Sequence, residues 1–298
     1  MEKIKNLKKI KCGEVIFNPH LKHYTTYNVG GEALALVYPK TIEQLITLLK
    51  YLQKNKIKYK ILGNGSNLIF KNKQYNLVII RLNHLDNLEI KGNKVVVGAG
   101  YSLIALCLKV AKKNLTGLEF ASGIPGTVGG AVFMNAGAYK SDMGYIVQSV
   151  EVLNKNLEIE TLTNQQLNFH YRTSFLKEHP EYICLSVTLK LRRGKKEAIM
   201  EVIKDRKQRR KESQPLEYPS AGSVFRNPEG MFAGKMIEDL GYKGKMIGGA
   251  KVSEKHANFI INYDKATGED IINLINEIKS KVKEEYGVEL KVEQEIVK

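Results

Sequence analysis

The sequence predicts a mixed α/β or α+β protein built from more than one domain. Its 298 residues exceed what one hydrophobic core usually holds, so two or three domains are expected. Between residues 59 and 113, strand-like runs alternate with segments whose apolar residues recur at helical spacing, which is typical of such a fold. The hydrophobic content of 43% and the charged content of 26% are those of an ordinary soluble globular chain.

The first third of the chain supplies clear strand and helix patterns. Residues 20–38 predict a polar turn followed by a strand, and Thr41 and Gln44 form a capping-box pattern before an amphipathic helix. Ser102 is placed to cap a helix that runs to Lys113. Further strands are predicted at 59–62, 77–82 and 95–97.

The rest of the chain predicts two more strands, IVQSVEVLN and YICLSVTLKL, then a basic helix over 195–212. A segment rich in Pro, Ser and Gly follows and indicates the entrance to another domain. A short helix is predicted over 232–240, and a longer one begins at Thr267 and ends at Gly287. A last strand is predicted at 288–290.

Residues 117–139, GLEFASGIPGTVGGAVFMNAGAY, hold six glycines and one proline together with apolar side chains. A flexible linker would lack those apolar residues. The pattern therefore indicates backbone that passes close to a ligand, for example a diphosphate held by amide N–H groups, or else a packed turn region without a ligand. A second short turn, GNGSN at 63–67, follows a strand and lacks both the third glycine of GxGxxG and the lysine of a P-loop.

Composition excludes several classes of protein. The sequence has no apolar run of transmembrane length and no secretory signal at its start, and its three scattered cysteines favour reduced thiols in a cytosol. No metal-binding CxxC or HExxH pattern is present. The net charge of +16 would suit nucleic-acid binding, but the lysines are spread along the chain with few interleaved aromatics, so a lysine-rich surface is the favoured interpretation.

Seven blocks together carry a family resemblance: YTTYNVGG, ILGNGSNLIF, residues 117–139, YRTSF, AGSVFRNP, AGKMIEDLG and IGGAKVSEKHANFIIN. In this order they resemble the UDP-N-acetylenolpyruvoylglucosamine reductases of bacterial peptidoglycan synthesis, in their shorter subtype. The resemblance implies an α+β fold with a two-part FAD-binding region of the vanillyl-alcohol-oxidase type and an α+β substrate-binding domain. It implies FAD-binding subdomains at 1–82 (with 288–298) and 83–194, and a substrate-binding domain at 195–287.

The resemblance also implies which residues hold FAD. The turn GNGSN and the glycine-rich stretch would lie along the diphosphate and the isoalloxazine ring. The residues concerned are Asn64, Gly65, Ser66, Asn67, Ser122, Gly123, Ile124, Pro125, Gly126, Thr127, Gly129, Gly130, Asn135, Ala136 and Gly137.

The implied reaction is reduction of an enolpyruvyl ether to a lactyl ether by NADPH through FAD. Taken singly, each has a simpler interpretation: Arg172 could be an ion-paired arginine, Ser223 a turn hydroxyl and Glu293 a solvated strand residue. By resemblance, Arg172 neutralises the substrate carboxylate, Glu293 stabilises the developing oxyanion as a protonated acid, and Ser223 donates a proton to the α-carbon. The family's LEPEV is replaced by LKVEQE here, so Glu295, on the same strand face as Glu293, competes for the glutamate's role.

Further residues match positions that contact the substrate: Lys211, Asn227, Lys243 and His256, of which His256 could equally be structural. The enzyme is expected to be a cytoplasmic monomer that binds a UDP-sugar and NADPH, with no nucleic-acid or membrane partner. Two alternatives remain open. An alcohol oxidase of the same fold would be reoxidised by oxygen, and a basic nucleic-acid-binding protein would carry no flavin.

Overall fold

A computed structural model describes residues 2–298, and the chain forms two compact units. Unit 1 takes in the chain up to Asn18, Leu34–Asn64 and Asn76–Gln208, and unit 2 takes in Pro19–Ala33, Gly65–Tyr75 and Arg209–Lys298. The three-part division of the chain by function stays a prediction.

The helices are α1 (Glu2–Lys5), α2 (Ile42–Lys54), α3 (Leu103–Ala111), α4 (Val128–Phe133), α5 (Asn164–Leu167), α6 (Phe175–Glu178), α7 (Lys196–Ser213), α8 (Ala233–Asp239) and α9 (Gly268–Tyr286). Short 3₁₀ turns lie at Asn6–Lys8, Leu21–Tyr24, Glu119–Ala121 and Met143–Tyr145. Among the described residues, none of these helices has the length and apolar character that a membrane crossing requires.

The strands are β1 (Glu14–Phe17), β2 (Ala33–Tyr38), β3 (Lys58–Ile61), β4 (Leu68–Phe70), β5 (Tyr75–Ile80), β6 (Leu88–Lys91), β7 (Lys94–Gly98), β8 (Leu115–Thr116), β9 (Gly137–Ala138), β10 (Ser141–Asp142), β11 (Val147–Leu153), β12 (Ile159–Thr163), β13 (Ile183–Lys190), β14 (Arg192–Arg193), β15 (Met246–Ile247), β16 (Ala250–Val252), β17 (Ile260–Asn262) and β18 (Glu295–Val297). The mixture of helices and strands confirms the α+β class.

The predicted helix starts are mostly confirmed. The hydroxyl of Ser102 accepts from the amide of Ala105 at 3.3 Å, and Thr267 and Asp270 form a complete capping box at the start of α9. At α2 only half of the predicted box forms. The Thr41 hydroxyl accepts from the Gln44 backbone amide, but the Gln44 side chain accepts from the backbone amide of Lys40 and not from that of Thr41. The helix α3 ends at Ala111, slightly before the predicted end.

Unit 1 holds two main sheets. One is four-stranded in the order β1-β2-β5-β3, and the other is an antiparallel sheet in the order β12-β11-β13-β7-β6. Helix α4, in the centre of the glycine-rich stretch, contacts β13 and β7 of the second sheet. A continuous apolar core, including buried leucines of α2 and α3, fills the unit. The glycine-rich stretch is therefore held against a sheet.

Unit 2 has its own apolar core, with α8 and α9 packed together beside the antiparallel sheet β15-β16-β17.

The last strand, β18, pairs in parallel with β4. The predicted strand at 288–290 is wrong, because among the described residues pairing near the C-terminus begins only after it. There the Lys291 carbonyl accepts from the Arg226 amide, and β18 starts at Glu295.

Candidate functional site

The glycine-rich stretch forms a turn that enters α4, and much of its backbone is paired within unit 1. The amides of Val128 and Gly129 donate to the carbonyls of Tyr101 and Ala99, each at 2.9 Å. A Cβ placed on Gly129 would lie 2.9 Å from the Cβ of Ala99, which is too close for an unstrained contact. Packing therefore explains Gly129 without any ligand.

Other amides of this stretch remain available to a ligand. Within the described chain, the amide N–H groups of Gly123 and Thr127 make no hydrogen bond, and the same is true of Asn64 in the turn GNGSN. The two turns meet in unit 1, because a Cβ on Gly63 would lie 2.8 Å from the Thr127 Oγ1. Free amides beside closely approaching backbone fit a phosphate group.

The other half of GNGSN belongs to unit 2. Gly65 has φ +64° and passes close to the Tyr24 backbone, and its carbonyl accepts from the Thr26 amide at 3.2 Å. The amides of Gly65 and Ser66 also lack a partner in the described chain. Asn67 bonds elsewhere, since its Nδ2 donates to the Glu293 carbonyl at 3.2 Å. Asn67 thus ties this turn to the segment that carries the predicted catalytic glutamate.

Arg172 occupies a tight turn of unit 1. His170 and Thr173 exchange two backbone hydrogen bonds of 3.1 Å, and Arg172 between them has φ +57°, in the left-handed region. Its guanidinium lies 5.1 Å from the centre of the Tyr171 ring. The carbonyl of Arg172 accepts from the Lys177 ammonium at 3.1 Å. The backbone of the arginine is therefore constrained on both sides.

Two side-chain hydrogen bonds join the Arg172 turn to the end of the glycine-rich stretch. Asn135, which is 2% exposed, donates from Nδ2 to the His170 carbonyl at 2.9 Å and accepts the Gly144 amide on Oδ1 at 2.9 Å. Ser174, fully buried, donates to the Phe133 carbonyl at 2.9 Å. The backbone amides of Asn135 and Ala136 are also used, since they donate to the Val132 and Ala131 carbonyls at 3.1 and 2.8 Å. Neither these amides nor the Asn135 side chain is therefore left for the predicted FAD contact.

Ser223 and Glu293 lie on neighbouring backbone segments of unit 2. The Glu293 amide donates to the Val224 carbonyl at 2.8 Å, and Phe225 forms a β-bridge with Val292. Glu295 instead donates its amide to the Asn67 carbonyl at 2.9 Å and begins β18. Of the two competing glutamates, Glu293 is the one whose backbone bonds the Ser223 segment.

A buried asparagine holds the other side of the Ser223 segment, and the sequence patterns did not reveal it. Asn258, 4% exposed, accepts the Phe225 amide on Oδ1 at 2.9 Å and donates from Nδ2 to the Phe225 carbonyl at 2.8 Å. Its own carbonyl accepts from the Val224 amide at 2.9 Å. This side chain acts as an extra strand partner, and its position in KHANF gave no signal of that contact.

The predicted substrate residues lie in unit 2 in different settings. Lys211 is at the end of α7, where its carbonyl accepts from the Lys255 ammonium at 2.6 Å. Asn227 is exposed, and its Oδ1 accepts from the Ala233 amide at 3.1 Å, so it also caps α8. Lys243 pairs with Glu238 at 2.7 Å.

His256 is held as a neutral ring. Its Nδ1 accepts from the Asn258 amide at 3.2 Å, which requires an unprotonated nitrogen. Burial lowers the pKa of His256, the Lys243 charge lowers it further, and Glu238 opposes them. The contact with Asn258 gives this histidine a structural function in addition to the predicted substrate contact.

The three cysteines are free and buried, and burial raises the pKa of Cys12 to about 11 and of Cys107 and Cys184 to about 12. Among residues 2–298 there is no group of His, Cys, Asp or Glu that could hold a metal ion.

Two family models match this chain, and together they cover parts of both units. Residues 33–163 match the model of an FAD binding domain, and residues 214–297 match that of the UDP-N-acetylenolpyruvoylglucosamine reductase C-terminal domain. The UDP-N-acetylenolpyruvoylglucosamine reductase of Caldanaerobacter subterraneus subsp. tengcongensis is 48% identical over 297 residues, which cover 100% of this chain and 97% of that protein.

Two solved structures bear on the fold. The crystal structure of UDP-N-acetylenolpyruvylglucosamine reductase from Thermus caldophilus aligns with a TM-score of 0.82 at 35% identity, over 96% of this chain and 98% of that one. Berberine bridge enzyme from Eschscholzia californica aligns at 0.51 and 12% identity, over 65% of this chain and 44% of that one, which bears on the fold alone. The predicted fold class, a vanillyl-alcohol-oxidase type FAD region with an α+β substrate domain, is confirmed.

Proposed function

Because this chain belongs to the UDP-N-acetylenolpyruvoylglucosamine reductase family, we propose that it reduces UDP-N-acetylglucosamine enolpyruvate to UDP-N-acetylmuramate with NADPH. The observation that carries the proposal is the full-length likeness to reductases of this name, at 48% identity in the first relative. The product is a precursor of peptidoglycan. We infer that the enzyme acts in the cytoplasm as a monomer and binds the UDP-sugar and NADPH.

FAD, when bound, supplies the hydride that NADPH delivers. The residues that would hold FAD in unit 1 are Asn64, Gly123 and Thr127, whose free amides would donate to phosphate oxygens, with the turn of 122–130 beside them. In unit 2, the free amides of Gly65 and Ser66 would be phosphate donors of the same kind. A Cβ on Gly130 would meet only the Thr127 Oγ1, at 3.3 Å, whereas one on Gly129 would lie 2.9 Å from the Cβ of Ala99, so Gly129 is needed for packing as well.

The protein's own groups complete the addition across the substrate double bond. The π bond breaks as the terminal carbon gains a hydride and the α-carbon gains a proton, while NADPH is oxidised to NADP⁺. Ser223 donates that proton, and its alkoxide is then reprotonated from solvent. Glu293 donates a hydrogen bond to the enolate oxygen, a contact worth ~3 kcal/mol of the barrier. Arg172 neutralises the carboxylate on which the charge develops.

Substrate binding falls to the polar residues of unit 2. Lys211 and Lys243 offer ammonium groups to the diphosphate, and Asn227 retains its Nδ2 as a donor while Oδ1 caps α8. His256 with a neutral ring and an occupied Nδ1 offers Nε2–H as a donor. The positive net charge of +16 favours the approach of such an anion.

The test is direct conversion. Purified protein with FAD is yellow and, given NADPH and UDP-N-acetylglucosamine enolpyruvate, should form a product heavier by two hydrogens, measured by mass spectrometry. No conversion, with hydrogen peroxide formed from oxygen and an alcohol instead, would favour the oxidase alternative. A protein that stays colourless with FAD and binds DNA in a salt-dependent manner would overturn both.

A further inference from the structure

A buried tyrosine–glutamine pair lies directly behind the segment that carries Ser223. Gln294 is 3% exposed, and its Nε2 is within 3.1, 3.0 and 3.4 Å of the carbonyl oxygens of Ala221, Gly222 and Ser223. Its Oε1 accepts from the hydroxyl of Tyr27 at 3.0 Å. Tyr27 is fully buried, and burial raises the pKa of its phenol, which keeps it protonated as a donor.

The convergence of consecutive carbonyls on one amide group is unusual backbone geometry. In a strand, successive carbonyls point in opposite directions. Here Gly222 has φ +75°, which bends the chain so that the carbonyls of 221–223 face the Gln294 side chain. The shape of the Ser223 turn is therefore matched to the position of one NH₂ group.

The carbonyls of 221–223 fix the orientation of that NH₂ group. A carboxamide can rotate by half a turn, which would exchange donor and acceptor. The rotated form would set Oε1 against carbonyl oxygens, which can only accept, whereas the observed form lets Oε1 accept from the Tyr27 hydroxyl and so anchors the side chain. Asn262 in turn donates to the Tyr27 carbonyl at 2.9 Å and holds its backbone.

Gln294 also adjoins Glu293 in the chain, and the Glu293 amide donates to the Val224 carbonyl. The same short segment therefore contacts the Ser223 turn through a backbone bond at Val224 and through a side chain at 221–223. We propose that Gln294 and Tyr27 are positioning residues, which set the Ser223 hydroxyl relative to the Glu293 carboxyl for the proton transfer. The proposal rests on the proposed function.

The test separates positioning from mere stabilisation. Gln294→Met removes the amide at similar volume, and Tyr27→Phe removes only the hydroxyl. Thr25→Val is the matched control, because buried Thr25 in the same segment donates to the Val29 carbonyl at 2.9 Å and makes no hydrogen bond to 221–223 in the described chain. Each holoenzyme is followed by stopped-flow absorbance, first with NADPH and then with UDP-N-acetylglucosamine enolpyruvate, and its melting temperature is measured.

We expect Gln294→Met and Tyr27→Phe to reoxidise about 10- to 100-fold more slowly with the substrate, while flavin reduction by NADPH stays within about twofold. The double variant should be less impaired than the product of the single effects, because both act through one hydrogen bond. In the FAD-free variants, amides of 224–226 should exchange with deuterium faster than in Thr25→Val.

The proposal is overturned if both variants reoxidise like Thr25→Val, whatever their melting temperatures. If Gln294→Met does not fold, the milder Tyr27→Phe decides by the same comparison. A wild-type enzyme that NADPH reduces but this substrate does not reoxidise would instead reject the proposed function, so the two failures can be told apart.

Discussion

The Glu293 amide donates to the Val224 carbonyl at 2.8 Å, which places this glutamate on the segment hydrogen-bonded to the one carrying Ser223. Glu295, two residues on, bonds Asn67 and enters β18. The two residues competed on sequence grounds, and their backbone contacts now favour Glu293 as the partner of the serine.

We predict that Glu293→Ala slows reoxidation of the reduced enzyme by its substrate about 100- to 1,000-fold, the usual effect of losing an oxyanion donor. Glu295→Ala is the matched control and should stay near wild type, since its backbone belongs to the β18–β4 pair. Single-turnover stopped-flow measures both rates. The reverse order of effects would assign the role to Glu295.

The Asn135 contacts predict an indirect effect on Arg172. Asn135→Asp replaces the Nδ2 donor with an acceptor facing the His170 carbonyl, so we expect a loss of about 2 kcal/mol in the free energy of unfolding. The KM for the UDP-sugar should rise as the Arg172 turn loosens. Asn164→Asp is the control, because Asn164 also donates to backbone but is exposed. Urea unfolding and steady-state kinetics check both variants, and an unchanged KM in Asn135→Asp would refute the link.

Substitutions at two adjacent glycines of α4 should distinguish an effect on packing from an effect on ligand binding. Gly129→Ala brings its Cβ to 2.9 Å from that of Ala99 and should lower the stability of the FAD-free protein by about 1–3 kcal/mol. Gly130→Ala meets only the Thr127 hydroxyl, at 3.3 Å, so the FAD-free protein should tolerate it. Its FAD affinity, measured by fluorescence titration, should nevertheless fall. Wild-type affinity in Gly130→Ala would mean that this glycine is not near the cofactor.

The lowered pKa of His256 predicts that the free energy of unfolding depends on pH. Since its pKa is lowered in the folded protein, the unfolded chain takes up the proton first as pH falls. The stability that the neutral ring contributes is complete above the ordinary pKa of about 6.5 and is lost as pH falls through the folded pKa. His256→Asn keeps a hydrogen-bond acceptor without titrating. Urea unfolding at about pH 7.5 and 5.5 should show a smaller loss in the variant, and equal losses would contradict the account.

The sequence predicted local features well because their causes are local. The caps at Ser102 and Thr267 bond residues three positions away, and most strand limits agree within two residues. The contacts that organise the candidate sites join distant residues. Tyr27 and Gln294 are separated by 267 positions, and Asn135 and His170 by 35. Strand alternation could place Gln294 opposite Glu293, but only the fold shows which face is buried against Tyr27.

The strand predicted at 288–290 failed for the same reason. Its composition suits a strand, yet a strand needs a partner, and the partner β4 lies more than 200 positions earlier, in register with Glu295–Val297. Conversely, the glycine pattern could not separate packing from ligand binding. Gly129 is required for packing, whereas the amides of Gly123 and Thr127 in the same stretch make no hydrogen bond within the described chain.

The most direct measurement is the Ser223→Ala variant followed through its two half-reactions by anaerobic stopped-flow absorbance. Flavin reduction by NADPH should remain within about twofold of wild type, because the serine has no part in it. Reoxidation by UDP-N-acetylglucosamine enolpyruvate should fall by about 100-fold or more, the usual effect of removing a general acid. If both half-reactions slowed equally, or if reoxidation kept its wild-type rate, Ser223 would not be the proton donor.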